Sequence, residues 1–271
     1  MPFYLGFVLK FLKSIWVYRN FIVSSIRVDF STRFARSKLG GLWILLNPLA
    51  QVLMYALVLS SLMKAKLPGI SSQFAYAIYL IAGMMMWALF SEIFLRCVDC
   101  FVSNANIIKK ISFPKMCLPI IVAGSAIINN IAFIIAGILI FLCLGHFIGV
   151  SIGYIAPLAM LTVFLAFSMG LFFGVINVFL RDVSQILGIL IQFLFWMTPI
   201  VYMVNILPQE YQGLLYLNPL TSIVEGYHNV ILYDKAPLLY PLLYPLILSL
   251  VVMFLGLFVY SKASEEMADA L

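Results

Sequence analysis

The sequence predicts an all-α membrane protein with six transmembrane helices. Hydrophobic residues fill 65% of its 271 positions and charged residues only 10%, unlike the composition of a soluble domain. The apolar residues lie in blocks long enough to cross a bilayer as helices. The six predicted spans are residues 43–63, 74–95, 118–144, 153–179, 183–204 and 238–260. Because no Ser- or Gly-rich linker separates these blocks, residues 1–271 are expected to form a single transmembrane domain.

Basic residues are distributed unevenly between the two predicted sides of the membrane. With both termini in the cytoplasm, the inner segments hold 13 Lys and Arg residues, and the outer segments hold only Lys64, Lys66 and Lys235. This is the positive-inside bias of multi-pass membrane proteins. It explains the net charge of +6 by topology and by attraction to anionic lipid, so no nucleic-acid partner is expected.

The N-terminal segment, the segment before the last span and the C-terminal tail all lie outside the predicted spans. Residues 1–41 form a cytoplasmic amphipathic segment, in which Ile15, Tyr18, Ile22, Ile26, Phe30 and Phe34 recur at helical spacing. We expect a helix on the inner membrane surface, with a helix packed on the bundle as the alternative. Residues 205–237 predict two short re-entrant or surface helices, because Asn218-Pro219 is a helix-start signal. Residues 261–271 form a short cytoplasmic tail.

Uncharged polar and aromatic residues mark one face of two predicted spans. In the first span, these residues are Trp43, Asn47, Gln51 and Tyr55. They recur every fourth position, so they share one face of a helix. In the fifth span, before a break at Thr198-Pro199, the corresponding residues are Gln185, Gln192 and Trp196. Amide and aromatic groups without charge suit sugar rings, so these residues are the predicted lining of a substrate channel. Weaker channel candidates are Tyr79 and Trp87, and simple core or interface packing is the alternative for the whole set.

Other polar and small residues in the spans have structural explanations. Asn129 and Asn130 predict hydrogen bonds between helices, because unpaired polar groups are unfavourable in hydrocarbon. Gly170 and Gly174 predict close helix packing, within the chain or between two copies. Glu92 and Arg96 are expected to form a neutral pair at the end of the second span. Cys97 and Cys100 lack further ligands for a metal, so they are expected to be reduced bystanders.

The sequence contains none of the common catalytic or nucleotide-binding motifs. The phosphate-binding loop GxxxxGK[ST], the metalloprotease HExxH, the GxSxG elbow and a DxD pair are all absent. Carboxylates are nearly absent from the spans, which disfavours a proton- or sodium-driven mechanism. We therefore expect a transport subunit rather than an enzyme, with its energy supplied by another polypeptide. The rival classes are a membrane glycosyl- or acyltransferase, an ATP-independent lipid flippase and a structural subunit.

Several motifs, in order along the chain, resemble one transporter family. They are FARSKLGGLWILLNP at 34–48, IIKKISFPK at 107–115, RDV at 181–183, WMTPIV at 196–201 and LNPL at 217–220. Together they resemble the polysaccharide-exporting ABC-2 permeases, above all the O-antigen (Wzm-type) permeases, with teichoic-acid and capsule exporters nearby. Gly41 stands where many members of the family have proline.

The resemblance implies partners and roles for particular residues. It implies a homodimer in the bacterial inner membrane, two copies of a separate nucleotide-binding subunit that holds ATP and Mg, and a lipid-linked polysaccharide as substrate. No cofactor is expected in this chain. The first and fifth spans would line the channel between protomers. The N-terminal helix and a cytoplasmic loop would contact the ATPase, the loop through Asn104, Lys109, Lys110, Phe113, Pro114 and Lys115.

Overall fold

The computed structural model describes most of the chain and shows it as a helical bundle. The described residues are 16–34, 38–43, 46, 49–50, 75–110, 113–143, 145–147, 149–206, 208–264 and 266–271. The α-helices in these ranges are α1 Arg19–Phe34, α2 Ala75–Ser103, α3 Ala105–Lys110, α4 Cys117–Cys143, α5 Ile155–Phe179, α6 Asp182–Met197, α7 Gln209–Leu215, α8 Pro219–Tyr233, α9 Leu239–Ala263 and α10 Met267–Ala270. Short 3-10 helices occupy Gly40–Leu42, Val150–Tyr154 and Val204–Ile206.

Four described helices are long and apolar enough to cross a membrane, namely α2, α4, α5 with the 3-10 turn before it, and α9. They confirm helices at the second, third, fourth and sixth predicted spans. The fifth predicted span contains the shorter apolar helix α6. The first predicted span, 43–63, lies outside the described residues except for positions 43, 46, 49 and 50.

Two helix ends differ from the ends of the predicted spans. The fifth span was expected to reach residue 204, but α6 ends at Met197. Pro199 restricts the residue before it to extended backbone, and Thr198 has φ −96° and ψ 132°. The second span was expected to end at Leu95, but α2 continues to Ser103. Glu92 and Arg96 therefore lie inside a helix rather than at its end.

Helix α2 is the centre of the bundle, with buried residues on all sides. It packs against α4, α5, α6 and α8, and α9 packs on the far side of α5. Gly170 and Gly174 let α5 approach α2 closely. A Cβ at Gly174 would lie 2.6 Å from the carbonyl oxygen of Cys97, so a larger residue does not fit there. These glycines therefore pack within one chain, as one of the two sequence interpretations predicted.

Helix α1 packs on the first turns of α4. Ile22 is buried with Cys117 and Ile121, and Tyr18 and Ile26 pack at the edge of the same cluster. The opposite side of α1 is exposed, as expected for an amphipathic helix. The described contacts show a helix packed on the bundle, and its position on a membrane surface remains a prediction.

The segment between α6 and α9 contains two short helices, α7 and α8, as predicted. The Asn218 side chain caps α8 by accepting a hydrogen bond from the Leu220 N–H at 3.0 Å, and Pro219 occupies the first turn. Helix α8 is largely buried against α2, α5 and α9. Its depth in the bilayer remains a prediction.

Candidate transport path and coupling loop

The exposed face of α6 carries the predicted polar residues of the fifth span. Gln185, Gln192 and Trp196 are all exposed and share one side of the helix. The other side, with Leu187, Ile191 and Phe195, is buried. The structure therefore brings two amides and an indole into one strip, which we call the α6 strip, defined by Gln185, Gln192 and Trp196.

The predicted channel residues of the first span are mostly undescribed. Trp43 is exposed and follows the 3-10 turn Gly40–Leu42. Asn47, Gln51 and Tyr55 lie outside the described residues. Their role in a channel therefore remains a prediction, as does the orientation of Trp43 toward such a channel.

The two weaker channel candidates lie in the interior of the bundle. The Tyr79 hydroxyl shares its single proton between two carbonyl oxygens, those of Pro199 at 2.9 Å and Tyr202 at 2.7 Å. Its ring stacks on His228 with centroids 3.7 Å apart. Trp87 packs edge-on against Phe195 at 5.3 Å. Within one protomer, these residues support the α6 strip from behind rather than extending it.

The carbonyl groups after α6 explain the position of Tyr79. The backbone that follows Met197 is not part of α6, so its carbonyl oxygens have no helical donors, and buried ones need another partner. Tyr76 meets the same need, since its hydroxyl donates to Val201 O at 2.8 Å. Sequence analysis did not identify this role for Tyr76. The signal was its three-residue spacing from Tyr79, together with the distant Thr198-Pro199 break.

His228 packs beside Tyr79 in the same region, and its side chain is uncharged. Its ring is buried and its Nε2 lies 3.1 Å from the carbonyl oxygen of Tyr79. Burial lowers the pKa of His228 to about 3. The imidazole is therefore neutral at pH 7 and acts as a packing and hydrogen-bonding group.

A charged cluster lies between α1, α2 and α4, which we call the Arg96 cluster: Asp29, Glu92, Arg96, Ser125 and Asn129. Arg96 donates to both Asp29 carboxylate oxygens, at 2.9 and 2.8 Å. Its other nitrogen, Nη1, is 3.4 Å from Glu92 Oε1 and 3.3 Å from Ser125 Oγ. Asn129 donates to Glu92 Oε1 at 2.9 Å.

Neighbouring Asn130 donates to Met85 O at 2.7 Å. Both asparagines therefore make the predicted bonds between helices. The roles of Asp29 and Ser125 in this cluster were not predicted from the sequence.

The predicted coupling loop contains the short helix α3. Asn104 precedes it and donates to Cys100 O at 2.8 Å, which caps the end of α2. Lys109 and Lys110 are exposed in its last turn, where cations are favoured by the helix dipole. A surface with two exposed cations suits contact with another protein.

The remaining loop residues are anchored to the rest of the protein. Phe113 packs on Phe21 of α1 with ring centroids 5.7 Å apart. Lys115 donates to the carbonyl oxygen of Ser264, after α9, and desolvation lowers the Lys115 pKa. Pro114 accepts a hydrogen bond from Cys117 N at 2.9 Å, at the start of α4. The loop thus connects α1, α4 and the C-terminal tail.

The described residues contain no group of three or more His, Cys, Asp or Glu side chains arranged to hold a metal ion. Cys97 and Cys100 are buried thiols in α2, and Cys97 lies near Pro119 O. The side chains of the α6 strip are amides and an indole, which form hydrogen bonds and stack, and the exposed side chains of α3 include the cations Lys109 and Lys110.

Comparison with known proteins identifies relatives along nearly the whole chain. The family described as ABC-2 type transporter matches residues 21–232. The chain is 25% identical to an O-antigen export system permease protein RfbA of Klebsiella pneumoniae, over 90% of this chain and 92% of the relative. It is 24% identical to an RfbA protein of Myxococcus xanthus, over 85% and 87%. It is also 25% identical to the polysialic acid transport protein KpsM of Escherichia coli, over 88% and 92%.

Proposed function

The chain belongs to the ABC-2 type transporter family, and from that premise we propose that it is the membrane permease of a polysaccharide exporter. The proposed substrate is a lipid-linked O-antigen, moved across the bacterial inner membrane with energy from ATP in a separate subunit. The relatives named as O-antigen export permeases support this substrate. The relative named as a polysialic acid transport protein supports a capsular polysaccharide as the alternative.

The observation that carries the proposal is the α6 strip. Gln185 and Gln192 are exposed on a helix that is otherwise apolar. An amide without hydrogen-bond partners costs roughly 2–7 kcal/mol in an apolar medium, so this face is unsuited to lipid. A hydrated path satisfies the amides. We propose that two copies of the chain place their α6 strips around such a path, together with the first span.

The composition of the strip suits a sliding sugar chain. Indole and phenol rings stack on the apolar faces of sugars, while amides exchange hydrogen bonds with hydroxyl groups. Because neither interaction involves a charge, no position along the path binds the chain too tightly for it to move on. Trp196 and Gln192, one turn apart on α6, supply one group of each kind. In the proposed channel, Trp43, Asn47, Gln51 and Tyr55 supply the same chemistry from the first span.

We assign the energy input to the coupling loop. The exposed cations Lys109 and Lys110 would contact the ATP-hydrolysing partner, and Phe113, Pro114 and Lys115 would transmit its movement. Transmission is supported by the loop's anchors, since Phe113 packs on α1 and Lys115 bonds to the tail after α9. Movement of the loop would therefore shift α1 and the spans as rigid elements. Six spans with both termini in the cytoplasm complete the proposed topology.

The deciding experiment replaces the amides of the strip and measures export. In cells that depend on this chain for surface polysaccharide, Gln185→Leu with Gln192→Leu is expected to abolish export, because the path loses its hydrogen-bonding groups. The matched control is Ile186→Leu with Phe193→Leu, which changes exposed apolar neighbours on the same helix. The complex is checked for assembly by copurification. Surface polysaccharide at the parent level in the glutamine variant would contradict the channel assignment.

Copurification also separates the proposal from a flippase that works without ATP. A purified complex with an ATP-hydrolysing subunit, whose ATPase activity falls when Lys109 and Lys110 are replaced by alanine, supports the exporter. A chain that translocates lipid-linked sugars alone in vesicles contradicts it.

A further inference from the structure

Helix α1 is tied to the membrane-spanning helices by one guanidinium. Asp29 of α1 receives two hydrogen bonds from Arg96 of α2. Ser125 of α4 donates a further bond to the same carboxylate. Both bonds from Arg96 come from Nη2, and charge-assisted hydrogen bonds of this kind are stronger than neutral ones. They fix the rotation and depth of α1 on the bundle as well as holding it there.

Arg96 has a second carboxylate within reach on its own helix. Glu92 lies one turn earlier on α2, with Oε1 3.4 Å from Arg96 Nη1. Asn129 also holds this carboxylate from α4, at 2.9 Å. Glu92 therefore stays beside Arg96 wherever α1 goes. Arg96 is partly shielded from solvent, so it is less favourable without a carboxylate partner, and Glu92 supplies one when Asp29 leaves.

The rest of the α1 interface is small and well defined. Ile22 is the buried apolar residue of α1, in contact with Cys117 and Ile121. Ile26 sits over Gly124, where an added Cβ would lie 2.5 Å from Ile26 Cδ1. The opposite side of α1 is exposed at Val23 and Val28, among others. Among the contacts of the described residues, a few apolar side chains and the Asp29–Arg96 pair hold the helix on the bundle.

The structure also leaves space beside the ion pair. A cavity of about 690 Å³ separates α1 from the inner end of α2. Asp29 and Arg96 line it together with Ser24, Ser25 and Ser103. The lining is mixed, with these polar groups beside apolar side chains such as Leu95 and Val122. On this side α1 is separated from α2 by open space, so separation of α1 has to break only its apolar contacts with α4 and the bonds to Arg96.

We propose that Arg96 is a positioning residue shared between two states of α1. Paired with Asp29, it docks α1 on α2 and α4, which is the state described by the structure. Paired with Glu92 alone, it remains neutralised while α1 separates from the bundle. Because Phe21 of α1 packs on Phe113, docking of α1 also sets the position of the coupling loop. The two-state pairing rests on these contacts and is independent of the proposed substrate.

The chain provides its own reporter for docking. Native Cys117 belongs to the same small buried cluster as Ile22, so Ile22→Cys brings a second thiol into that cluster whenever α1 is docked. The experiment uses the full-length chain in membranes, with exposed Cys143 replaced by serine. A membrane-permeable oxidant such as copper-phenanthroline is added, and the rate of disulfide formation between positions 22 and 117 is measured. Gly124→Ala, which wedges a methyl group under Ile26, is expected to lower this rate and shows that it reports docking.

Three charge-neutralising variants then test the sharing of Arg96. Asp29→Asn is expected to slow disulfide formation by on the order of tenfold, because the charge-assisted bonds that dock α1 are lost. Glu92→Gln is expected to leave the rate unchanged or raise it, because the undocked state loses its cation partner. Asp99→Asn is the matched control, since Asp99 lines the same cavity and has its hydrogen bond to Asn177; it is expected to match the parent.

The opposite pattern overturns the proposal. If Glu92→Gln slows disulfide formation as much as Asp29→Asn, the cluster is a single fixed network with no exchange of partners. If Asp29→Asn behaves like the Asp99→Asn control, Arg96 does not dock α1. Should Asp29→Asn prevent folding, Ser125→Ala keeps both charges, removes one bond to Asp29 and is expected to slow the reaction by a smaller factor; a parent-like rate contradicts the proposal. Because the assay involves no transport, failure of the proposed function leaves its result interpretable.

Discussion

Two regions of this protein contain polar side chains on mainly apolar helices, and the hydrogen-bonding groups of these side chains face in opposite directions. In the Arg96 cluster, charged groups from three helices bond to one another. In the α6 strip, uncharged amides and an indole face away from the bundle. The first arrangement pairs its charged groups with one another inside the protomer. The second leaves room for partners from outside, which is the property that a transport path requires. Substitutions in the cluster should therefore affect stability, and those in the strip should affect transport.

The largest expected effect on stability is that of Arg96→Ala. It removes the hydrogen bonds of Arg96 to the carboxylates of Asp29 and Glu92, and because these groups are only partly buried we expect a loss of about 2–3 kcal/mol, below the cost of breaking a fully buried pair. The measurement is chemical unfolding of the purified chain in detergent micelles. Exposed Arg181, whose guanidinium lies near the chain terminus, gives the control Arg181→Ala, for which a change within about 0.5 kcal/mol is expected. Equal losses in both variants would remove the distinction between the two regions.

Tyr79→Phe is expected to have the next largest effect. It removes both hydrogen bonds to the carbonyl oxygens that follow α6, and buried acceptors without donors cost about 1–3 kcal/mol. The ring and its stacking on His228 are kept, so the loss reports the hydroxyl alone. Unfolding in the same micelles measures it. If the variant exports polysaccharide at the parent level but is less stable, Tyr79 supports the α6 strip from behind. If it loses export while its free energy of unfolding is unchanged, Tyr79 lies in the path.

The lowered pKa of the buried His228 predicts that the protein loses stability in acid. The folded pKa is about 3, below the value near 6.5 that histidine has when unfolded. Below pH 6.5 the unfolded chain therefore binds a proton that the folded protein does not. The contribution of His228 to the free energy of unfolding is constant above about pH 6.5 and falls by roughly 1.4 kcal/mol per pH unit toward pH 3. Unfolding measured at several pH values should show a slope that is shallower in His228→Asn, and an unaltered slope would contradict the neutral buried state.

The smallest expected effect on stability is that of Gln185→Leu with Gln192→Leu. Both side chains are exposed, so the free energy of unfolding in micelles should change by less than about 0.5 kcal/mol. The same variant is expected to abolish export, and this combination is what separates the strip from the cluster. A stability loss as large as that of Arg96→Ala would mean that the glutamines hold the protein together.

The sequence predicted the helices and part of the site well, because both follow from local patterns. Hydrophobic block length located α2, α4, α5 and α9. Helical periodicity placed Gln185, Gln192 and Trp196 on one face, which the structure shows as exposed. The break at Thr198-Pro199 was visible too. Its consequence for the end of α6 was missed, because the apolar residues continue past it.

Contacts between distant segments were not predictable in the same way. Asp29 and Arg96 are on different helices, and no periodicity relates their positions. Tyr79 has the sequence signature of an aromatic residue at a membrane interface, yet its partners are carbonyls exposed by a helix end far along the chain. An apolar helix gives little indication of which of its sides faces protein. That information comes only from the tertiary structure.

The most direct test of the account is the accessibility of position 192 to water. In the assembled complex, with exposed Cys143 replaced by serine, Gln192→Cys is treated with a membrane-impermeant maleimide in several nucleotide states. Leu187→Cys, on the buried side of α6, is the control. The account predicts labelling of position 192 in at least one nucleotide state and none at position 187. Position 192 sealed in every state would contradict the proposed path.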